Sequence, residues 1–70
     1  TRANAGAKNA NAYKSASAGS TNIYKYYPAG SYIGTYLAKD GIYSKIVVEV
    51  TGLFGNSSQT VWVPTVDIKY

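Results

Sequence analysis

The chain has 70 residues, of which 46% are hydrophobic and 14% are charged, and its formal net charge is +4. A chain of this length forms one domain that buries roughly 60% of the surface of the unfolded chain. It contains no cysteine and no histidine, so the strongest nucleophile and the commonest general base are both missing. No stretch approaches the roughly 20 apolar residues that span a bilayer. We therefore expect a single non-catalytic domain without a metal, a cofactor or a membrane span.

Residues 1–20 differ from the rest of the chain in composition and charge. They are rich in Ala, Asn, Ser and Gly, contain one aromatic residue, Tyr13, and carry a charge of +3, against +1 for residues 21–70. A segment with so few large apolar residues cannot bury enough surface to offset the entropy lost on ordering. We predict that residues 1–20 form an extended N-terminal arm, which on its own would be flexible.

From residue 21 onward, apolar and polar residues alternate in short stretches that are separated by turn residues, a pattern that predicts strands. The first predicted strand covers residues 21–27 and stops at Pro28, which cannot donate a hydrogen bond to a ladder. The second predicted strand covers residues 31–37. Because only Pro28-Ala29-Gly30 separates the two, we predict that they form a hairpin.

Asp40-Gly41 is the strongest short hairpin signal in the chain, and it leads into the clearest predicted strand, residues 42–51. A loop at residues 52–58 carries Leu53 and Phe54, which we expect to fold back over one end of a barrel. Two further strands are predicted at residues 59–63 and 66–70. The predicted core residues are Ile23, Ile33, Leu37, Ile46, Val48, Val50, Val61, Val63 and Ile68.

Five short strands joined by tight turns predict an all-β fold, namely a small five-stranded antiparallel barrel preceded by the arm. The order of motifs resembles the bacterial SH3 family of small β-barrels. Asn22-Ile23-Tyr24 stands where that family has Asn-Val-Arg, Ile33-Gly34-Thr35 matches its Ile-Gly-Thr core, Asp40-Gly41 supplies its turn, and Trp62-Val63-Pro64 with Ile68 resembles its closing motif. The resemblance implies an SH3-like barrel over residues 21–70 and binding of cell-wall peptidoglycan or its peptide stems.

Aromatic side chains are the most informative feature of the composition, because the chain has eight tyrosines and one tryptophan. Ring faces suit the C–H surfaces of sugars, and the hydroxyl groups at their rims form hydrogen bonds. Packing over the barrel ends is the alternative for each ring, and Tyr13 and Tyr70 are the weakest candidates for a ligand surface. For Trp62, strand-face alternation favours a core-edge position over stacking on a ligand. The predicted ligand or subunit contact surface consists of Tyr24, Tyr26, Tyr32, Tyr36, Tyr43 and Trp62.

Two functions would use these features differently. In the first, the chain is an extracellular structural subunit whose arm docks on the barrel of a neighbouring copy by adding a strand to its sheet, a head-to-tail contact that grows a fibre. The arm residues assigned to this contact are Ala10, Asn11, Ala12, Tyr13, Lys14, Ser15 and Ala16. Pairing of residues 10–17 within their own barrel is the open alternative. In the second function, a tyrosine-rich groove binds a cell-wall glycan or peptide. We favour the first, because no catalytic domain accompanies the barrel for a wall-binding module to deliver.

Other partners and modifications follow from charge and motifs. A nucleic-acid partner is disfavoured, because residues 21–70 carry a charge of only +1 and phosphate binding needs clustered Lys and Arg. Asn56-Ser57-Ser58 fits the Asn-X-Ser/Thr acceptor pattern in a predicted surface loop, which makes Asn56 a candidate glycosylation site. The polar but weakly charged composition favours an extracellular or cell-surface location.

Overall fold

The computed structural model describes residues 1–17 and 19–70; Ala18, which falls within the predicted arm, lies outside the described residues. The chain forms one antiparallel sheet in which the strands follow the spatial order β3-β2-β6-β5-β4-β1-β7. Short 3₁₀ turns lie at Ser20–Asn22 and Thr65–Asp67. The strands are β1 (Arg2–Ala5), β2 (Ala10–Tyr13), β3 (Ile23–Tyr27), β4 (Tyr32–Asp40), β5 (Tyr43–Gly52), β6 (Gly55–Pro64) and β7 (Ile68–Lys69).

The N-terminal arm supplies two strands of this sheet. β1 pairs with β4 and β7, and β2 pairs with β3 and β6. These pairings give hydrogen-bond partners to backbone groups of the two arm strands, as buried backbone requires. The inward-facing side chains of the arm strands are the methyl groups of Ala3, Ala5, Ala10 and Ala12, which are at most 2% exposed. The all-β, antiparallel prediction is confirmed, but over the described part of the chain the sheet is open and has seven strands instead of five, because the arm provides two of them.

The predicted hairpin between residues 21–27 and 31–37 was wrong. β3 and β4 are not neighbours, since β2 pairs with β3 and β1 pairs with β4. The connection between them wraps around the end of β1: the Gly30 amide donates to the Ala5 carbonyl at 3.1 Å, and the Ala5 amide donates to the Ser31 carbonyl at 2.8 Å. The short spacing between the two strands suggested a hairpin. The alternation pattern did not reveal that the arm strands β2 and β1 pair with β3 and β4 instead.

Two other hairpins have clear turn chemistry. β4 and β5 form the hairpin predicted at Asp40-Gly41, where Asp40 lies opposite Tyr43 and Gly41 has a φ of 64°. β5 and β6 pair along their whole lengths, down to Gly52 opposite Gly55. The predicted loop at residues 52–58 is therefore a two-residue turn followed by the first residues of β6.

The core lies under the centre of the sheet and contains most of the predicted residues. Ile68 is half-buried and packs against this core. Tyr27 joins it, at 5% exposed, although the sequence pattern did not select it. The confirmed core residues are Ile33, Ile46, Val48, Val61 and Val63.

Three predicted core residues are instead exposed, each for a local reason. Ile23, 40% exposed, lies on the edge strand β3. Leu37, 54% exposed, lies at a register shift in the β4–β5 pairing, which interrupts the alternation of faces. Val50, 37% exposed, lies on β5 beyond Val47, the last residue of that strand that pairs with β4.

Gly34 is required where β4 passes close to β5. It lies opposite Ala3 of β1, and a Cβ atom at this position would overlap the backbone carbonyl oxygen of Val47. Ala3 and Gly34 therefore place two of the smallest residues opposite each other at the point where the arm enters the sheet.

Candidate functional site

The structure distributes the six predicted contact rings over four strands. Two of the six, Tyr26 and Tyr32, are 54% and 45% exposed, and the other four are half-buried. Tyr24 and Tyr36 pack against the hydrophobic core, which is the alternative role considered for each ring. The ring contacts fall into groups that lie on different strands, so the six residues are not brought together as one groove.

The first group is an aromatic cluster formed by Tyr13, Tyr43 and Trp62, with Lys45 and Asp40 beside it. Tyr13 of β2 lies opposite Trp62 of β6, which in turn lies opposite Lys45 of β5. Directly paired residues share a face of a sheet, so these three side chains lie on the same side. The rings of Tyr13 and Tyr43 meet edge to face, with centroids 6.3 Å apart and an interplanar angle of 79°.

This face is the outer face of the sheet. Val61 and Val63, on either side of Trp62 in the sequence, are fully buried, and successive side chains of a strand point to opposite faces. The indole of Trp62 therefore points away from the core, where it is half-buried. Tyr43 is likewise half-buried, whereas Tyr13 is buried, at 9% exposed, and supports the other two rings from below.

Polar contacts fix the orientation of the indole. The Trp62 Nε1–H group donates to Asp40 Oδ2 at 3.0 Å, and the Lys45 Nζ atom lies 5.8 Å from the centroid of the Trp62 ring. A cation at this distance is attracted to the face of an indole. Asp40, interpreted from the sequence as a turn residue, is the last residue of β4 and also holds this ring. The cluster thus presents oriented rings together with a carboxylate and an ammonium group.

A second group surrounds an open cavity at the β1–β7 edge of the sheet. The rings of Tyr36 and Tyr70 stack with centroids 4.4 Å apart and an interplanar angle of 15°, and the Arg2 guanidinium carbon lies 4.6 Å from the Tyr32 ring centroid. Desolvation raises the pKa of Tyr36, and the charge of Tyr70 and a side-chain hydrogen bond with it raise that pKa further. The cavity has a volume of about 470 Å³ and is lined by Arg2, Asn4, Ala5, Gly30, Lys69 and Tyr70.

A third aromatic contact lies on the edge strand β3. The Lys25 Nζ atom is 5.2 Å from the Tyr27 ring centroid. The Tyr27 hydroxyl is buried without a hydrogen-bond partner among the described residues. Burial raises the pKa of Tyr27, and the neighbouring Tyr24 adds a smaller effect in the same direction. This ring contributes to the core rather than to an accessible surface.

The residues assigned to the docking arm divide into two environments. Residues 10–13 form β2, in which Ala10 and Ala12 are fully buried. Residues 14–16 form an exposed bend that Asn22 holds: its Nδ2 group donates to the Ser15 hydroxyl at 2.7 Å and to the Ser17 carbonyl at 2.8 Å. Asn56, the candidate glycosylation site, is exposed on β6 opposite Thr51.

Sequence reasoning missed several residues of these groups. Tyr13 and Tyr70, ranked as the weakest ligand candidates, are the ring partners of Tyr43 and Tyr36. Lys45 could have been found, because a two-residue turn at Leu53-Phe54 sets the hairpin register and places Lys45 opposite Trp62. Nothing in the local pattern indicates that Tyr13, more than 40 residues away along the chain, lies beside Trp62.

Comparison of the chain with known protein families, with curated proteins and with solved structures finds no match. The structure therefore defines a fold class only: residues 1–17 and 19–70 form a small all-β protein with one antiparallel sheet. Among residues 1–17 and 19–70, no helix has the length and apolar character to cross a membrane. The same residues contain no group of three or more His, Cys, Asp or Glu side chains that could hold a metal ion.

Proposed function

We propose that the chain is a non-catalytic binding module that holds a glycan or a peptide against the aromatic cluster of Tyr13, Tyr43 and Trp62. The observation that carries this proposal is the pair of half-buried rings Tyr43 and Trp62 on the outer face of the sheet, backed by the buried ring of Tyr13, with the indole oriented by Asp40. Rings that are oriented before binding lose little side-chain entropy when a ligand docks on them.

The chemistry of the cluster suits a ligand with both apolar and hydroxyl surfaces. Aromatic faces cover the C–H surface of a sugar ring or the side of a peptide, and tyrosine hydroxyls supply hydrogen bonds at the rim. Asp40 and Lys45 add one acceptor and one donor beside Trp62. The resemblance to bacterial SH3 domains supports a cell-wall glycan or peptide as the ligand and the cell surface as the place of action.

Intrinsic fluorescence tests this proposal directly, because Trp62 is the only tryptophan in the chain. Titration with an N-acetylglucosamine tetrasaccharide and co-sedimentation with purified peptidoglycan sacculi would measure binding in solution and on an insoluble wall. Tyr43→Ala removes one ring of the cluster, and Tyr26→Ala is the matched control on the exposed edge strand β3. We expect Tyr43→Ala to weaken binding about tenfold and Tyr26→Ala to leave it unchanged, on the scale of a well-packed aromatic contact.

Circular dichroism spectra of both variants would confirm that the sheet is intact. Equal binding by wild type and Tyr43→Ala, or loss of binding in Tyr26→Ala alone, would contradict the assignment of the aromatic cluster.

Self-assembly remains a second proposal, and the pairing of the arm favours one form of it. Both arm strands pair with strands from residues 23–70 and neither pairs with the other. A neighbouring copy offers the same pairing partners, so the arm can be exchanged between copies through the exposed connection at residues 14–17. In such an exchange the arm docks on a neighbouring copy, as predicted from the sequence. The strand pairings are the same as those within the single chain.

Analytical ultracentrifugation of the full chain over a wide concentration range would test arm exchange. We expect oligomers that grow with concentration, and negative-stain images of those fractions would show whether the exchange closes or continues as a fibre. A chain that stays monomeric up to its solubility limit would contradict the self-assembly proposal and leave the binding proposal untouched.

A further inference from the structure

The cavity beside β1 is lined by positively charged side chains on one face of the sheet. Ala3 and Ala5 point into the core, so Arg2 and Asn4, which alternate with them, point outward. Lys69 of β7 lies directly opposite Asn4 and therefore shares this outer face. The side chains of the lining residues include two cations and no carboxylate.

Arg2 is held in position above an aromatic ring. Its guanidinium carbon lies 4.6 Å from the centroid of the Tyr32 ring, and Tyr32 also lies opposite Asn4. Stacking orients a planar guanidinium and leaves its edge, which carries parallel N–H donors, free for a planar acceptor such as a carboxylate. The Asn4 carboxamide, whose Nδ2 group is 3.4 Å from the Gly30 carbonyl oxygen, adds a polar group to the same wall.

Among the remaining lining residues, the ring of Tyr70 supplies the apolar wall. Ala5 and Gly30 form part of the lining, with their backbone groups paired to each other and to Ser31. Tyr70 closes another side and is stacked on Tyr36. The volume of about 470 Å³ accommodates a ligand larger than an inorganic ion. A wall of this kind favours an organic anion that also has an apolar surface.

We propose that this cavity, the basic pocket, binds a small organic carboxylate, with Arg2 and Lys69 neutralising the acid group and Tyr70 covering the organic part. Two sources share this chemistry: the free C-terminal carboxylate of a peptide and the carboxylate of a uronic acid. The proposal does not rest on the aromatic cluster, which involves other residues on other strands.

Chemical-shift mapping on the ¹⁵N-labelled full chain tests the basic pocket with defined probes. The peptide titrations compare N-acetyl-alanyl-alanine with its C-terminal amide, and the sugar titrations compare glucuronic acid with glucose. We expect an acid to shift the amides of Arg2, Asn4, Gly30 and Lys69, while its neutral analogue leaves them in place. Whichever of the two acids binds more tightly identifies the source of the carboxylate.

Charge-removing variants add a second readout. Arg2→Gln and Lys69→Gln should each weaken binding of the acid about tenfold, the scale expected for loss of a charge-assisted hydrogen bond. Arg2→Lys should recover only part of the loss, because an ammonium group lacks the planar pair of donors. Lys39→Gln, an exposed lysine of β4 outside the pocket lining, is the matched control and should bind as the wild type does.

Three results would overturn the proposal that the basic pocket binds a small organic carboxylate. The first is equal affinity for an acid and its neutral analogue. The second is a set of shifts spread over all lysines, with Lys39→Gln as damaging as Lys69→Gln, which would indicate general attraction of anions to a basic protein. The third is tighter binding of inorganic phosphate than of either organic acid, which would remove the role of the apolar wall. Circular dichroism spectra of the variants would show that any loss of binding occurs in folded protein.

Discussion

Composition predicts an exposed N-terminal arm and a buried tip of the β5–β6 hairpin, but the structure shows the opposite for the arm strands and for the tip. The arm has small and polar residues, and four of its alanines are at most 2% exposed. The hairpin tip carries two large apolar residues, Leu53 and Phe54, which are 99% and 103% exposed. The expectation that these two residues fold back over the barrel was therefore wrong. Burial follows the position of the backbone in the sheet more closely than the size of the side chain.

The pairing of the strands explains this difference. Each arm strand has a neighbour on both sides, so its inward face is covered and its backbone pairs with a strand on each side. The hairpin extends beyond Val47, where the pairing of β5 with β4 ends. Residues 49–59 are all exposed, because past this point the two strands pair only with each other. Without neighbouring strands, even Leu and Phe side chains have no core to join.

Deletion of each region gives the largest expected contrast. A chain that lacks residues 1–13 loses β1 and β2, which removes the neighbours of β3 and β7 in the sheet, and we expect it to be unfolded by far-ultraviolet circular dichroism. A small domain has about 5 to 15 kcal/mol of stability, which cannot absorb this loss. The matched change shortens the hairpin by joining Glu49 to Ser58, its direct partner, through Asn-Gly.

We expect the shortened hairpin variant to keep the native spectrum and to lose less than about 1 kcal/mol of unfolding free energy, as exposed positions usually do. A folded truncated chain, or an unfolded shortened one, would reverse the comparison between the two regions.

Substitution of Gly34 probes the place where β1 packs on the sheet. Gly34→Ala places a methyl group against the backbone carbonyl of Val47, which no change of rotamer can relieve, so we expect a loss of about 3 kcal/mol in urea unfolding. Gly19→Ala is the matched control, because a Cβ atom there meets nothing within 4 Å. Equal stability of the two variants would show that β4 and β5 can separate to accommodate the methyl group.

Alkaline unfolding tests the burial of Tyr27, which lies opposite Ala10 of the arm. Its pKa is raised by burial above the ordinary value of 10.0. The protonated ring therefore contributes stability that is fully present below about pH 10 and is lost as the pH rises through the folded-state pKa. Tyr27→Phe should flatten this alkaline loss in unfolding free energy measured against pH.

At neutral pH Tyr27→Phe should be at least as stable as the wild type, with a gain of up to about 1 kcal/mol, because the lost hydroxyl is buried without a hydrogen-bond partner among residues 1–17 and 19–70. Tyr26→Phe is the matched control, because it removes a hydroxyl from an exposed ring of the same strand. A Tyr27→Phe variant that loses more than about 1 kcal/mol at neutral pH would contradict this account of the hydroxyl.

The smallest effect is expected at the hairpin tip. Leu53→Ser with Phe54→Ser should change the unfolding free energy by less than about 0.5 kcal/mol, because neither side chain is buried. Retention of the folded protein on a hydrophobic-interaction column should fall, since the most exposed apolar side chains are gone. A destabilised double variant would mean that the tip packs on the sheet after all.

Much of the candidate site could not be predicted from the sequence, for the same reason that the pairing of the arm strands could not. Tyr43 was selected because strand alternation placed it on an outer face, and Trp62 because it was expected nearby, although alternation favoured a core-edge position for it. The structure gives both rings a half-buried position on the outer face. Their partner Tyr13 belongs to the arm, and Arg2 and Lys69 of the basic pocket lie at opposite ends of the chain. Contacts between residues so far apart leave no periodic signal in a single sequence.

Local chemistry in the sequence determined the all-β class, the Asp40-Gly41 hairpin and the five confirmed core residues of β4, β5 and β6, because alternation and turn residues act within a few positions of one another. The tertiary structure alone decided that the arm is part of the sheet, that the predicted hairpin at Pro28 does not form, and that Leu53 and Phe54 are exposed. These outcomes depend on which strands become neighbours, and a strand of alanines is buried only when two distant strands pair on either side of it.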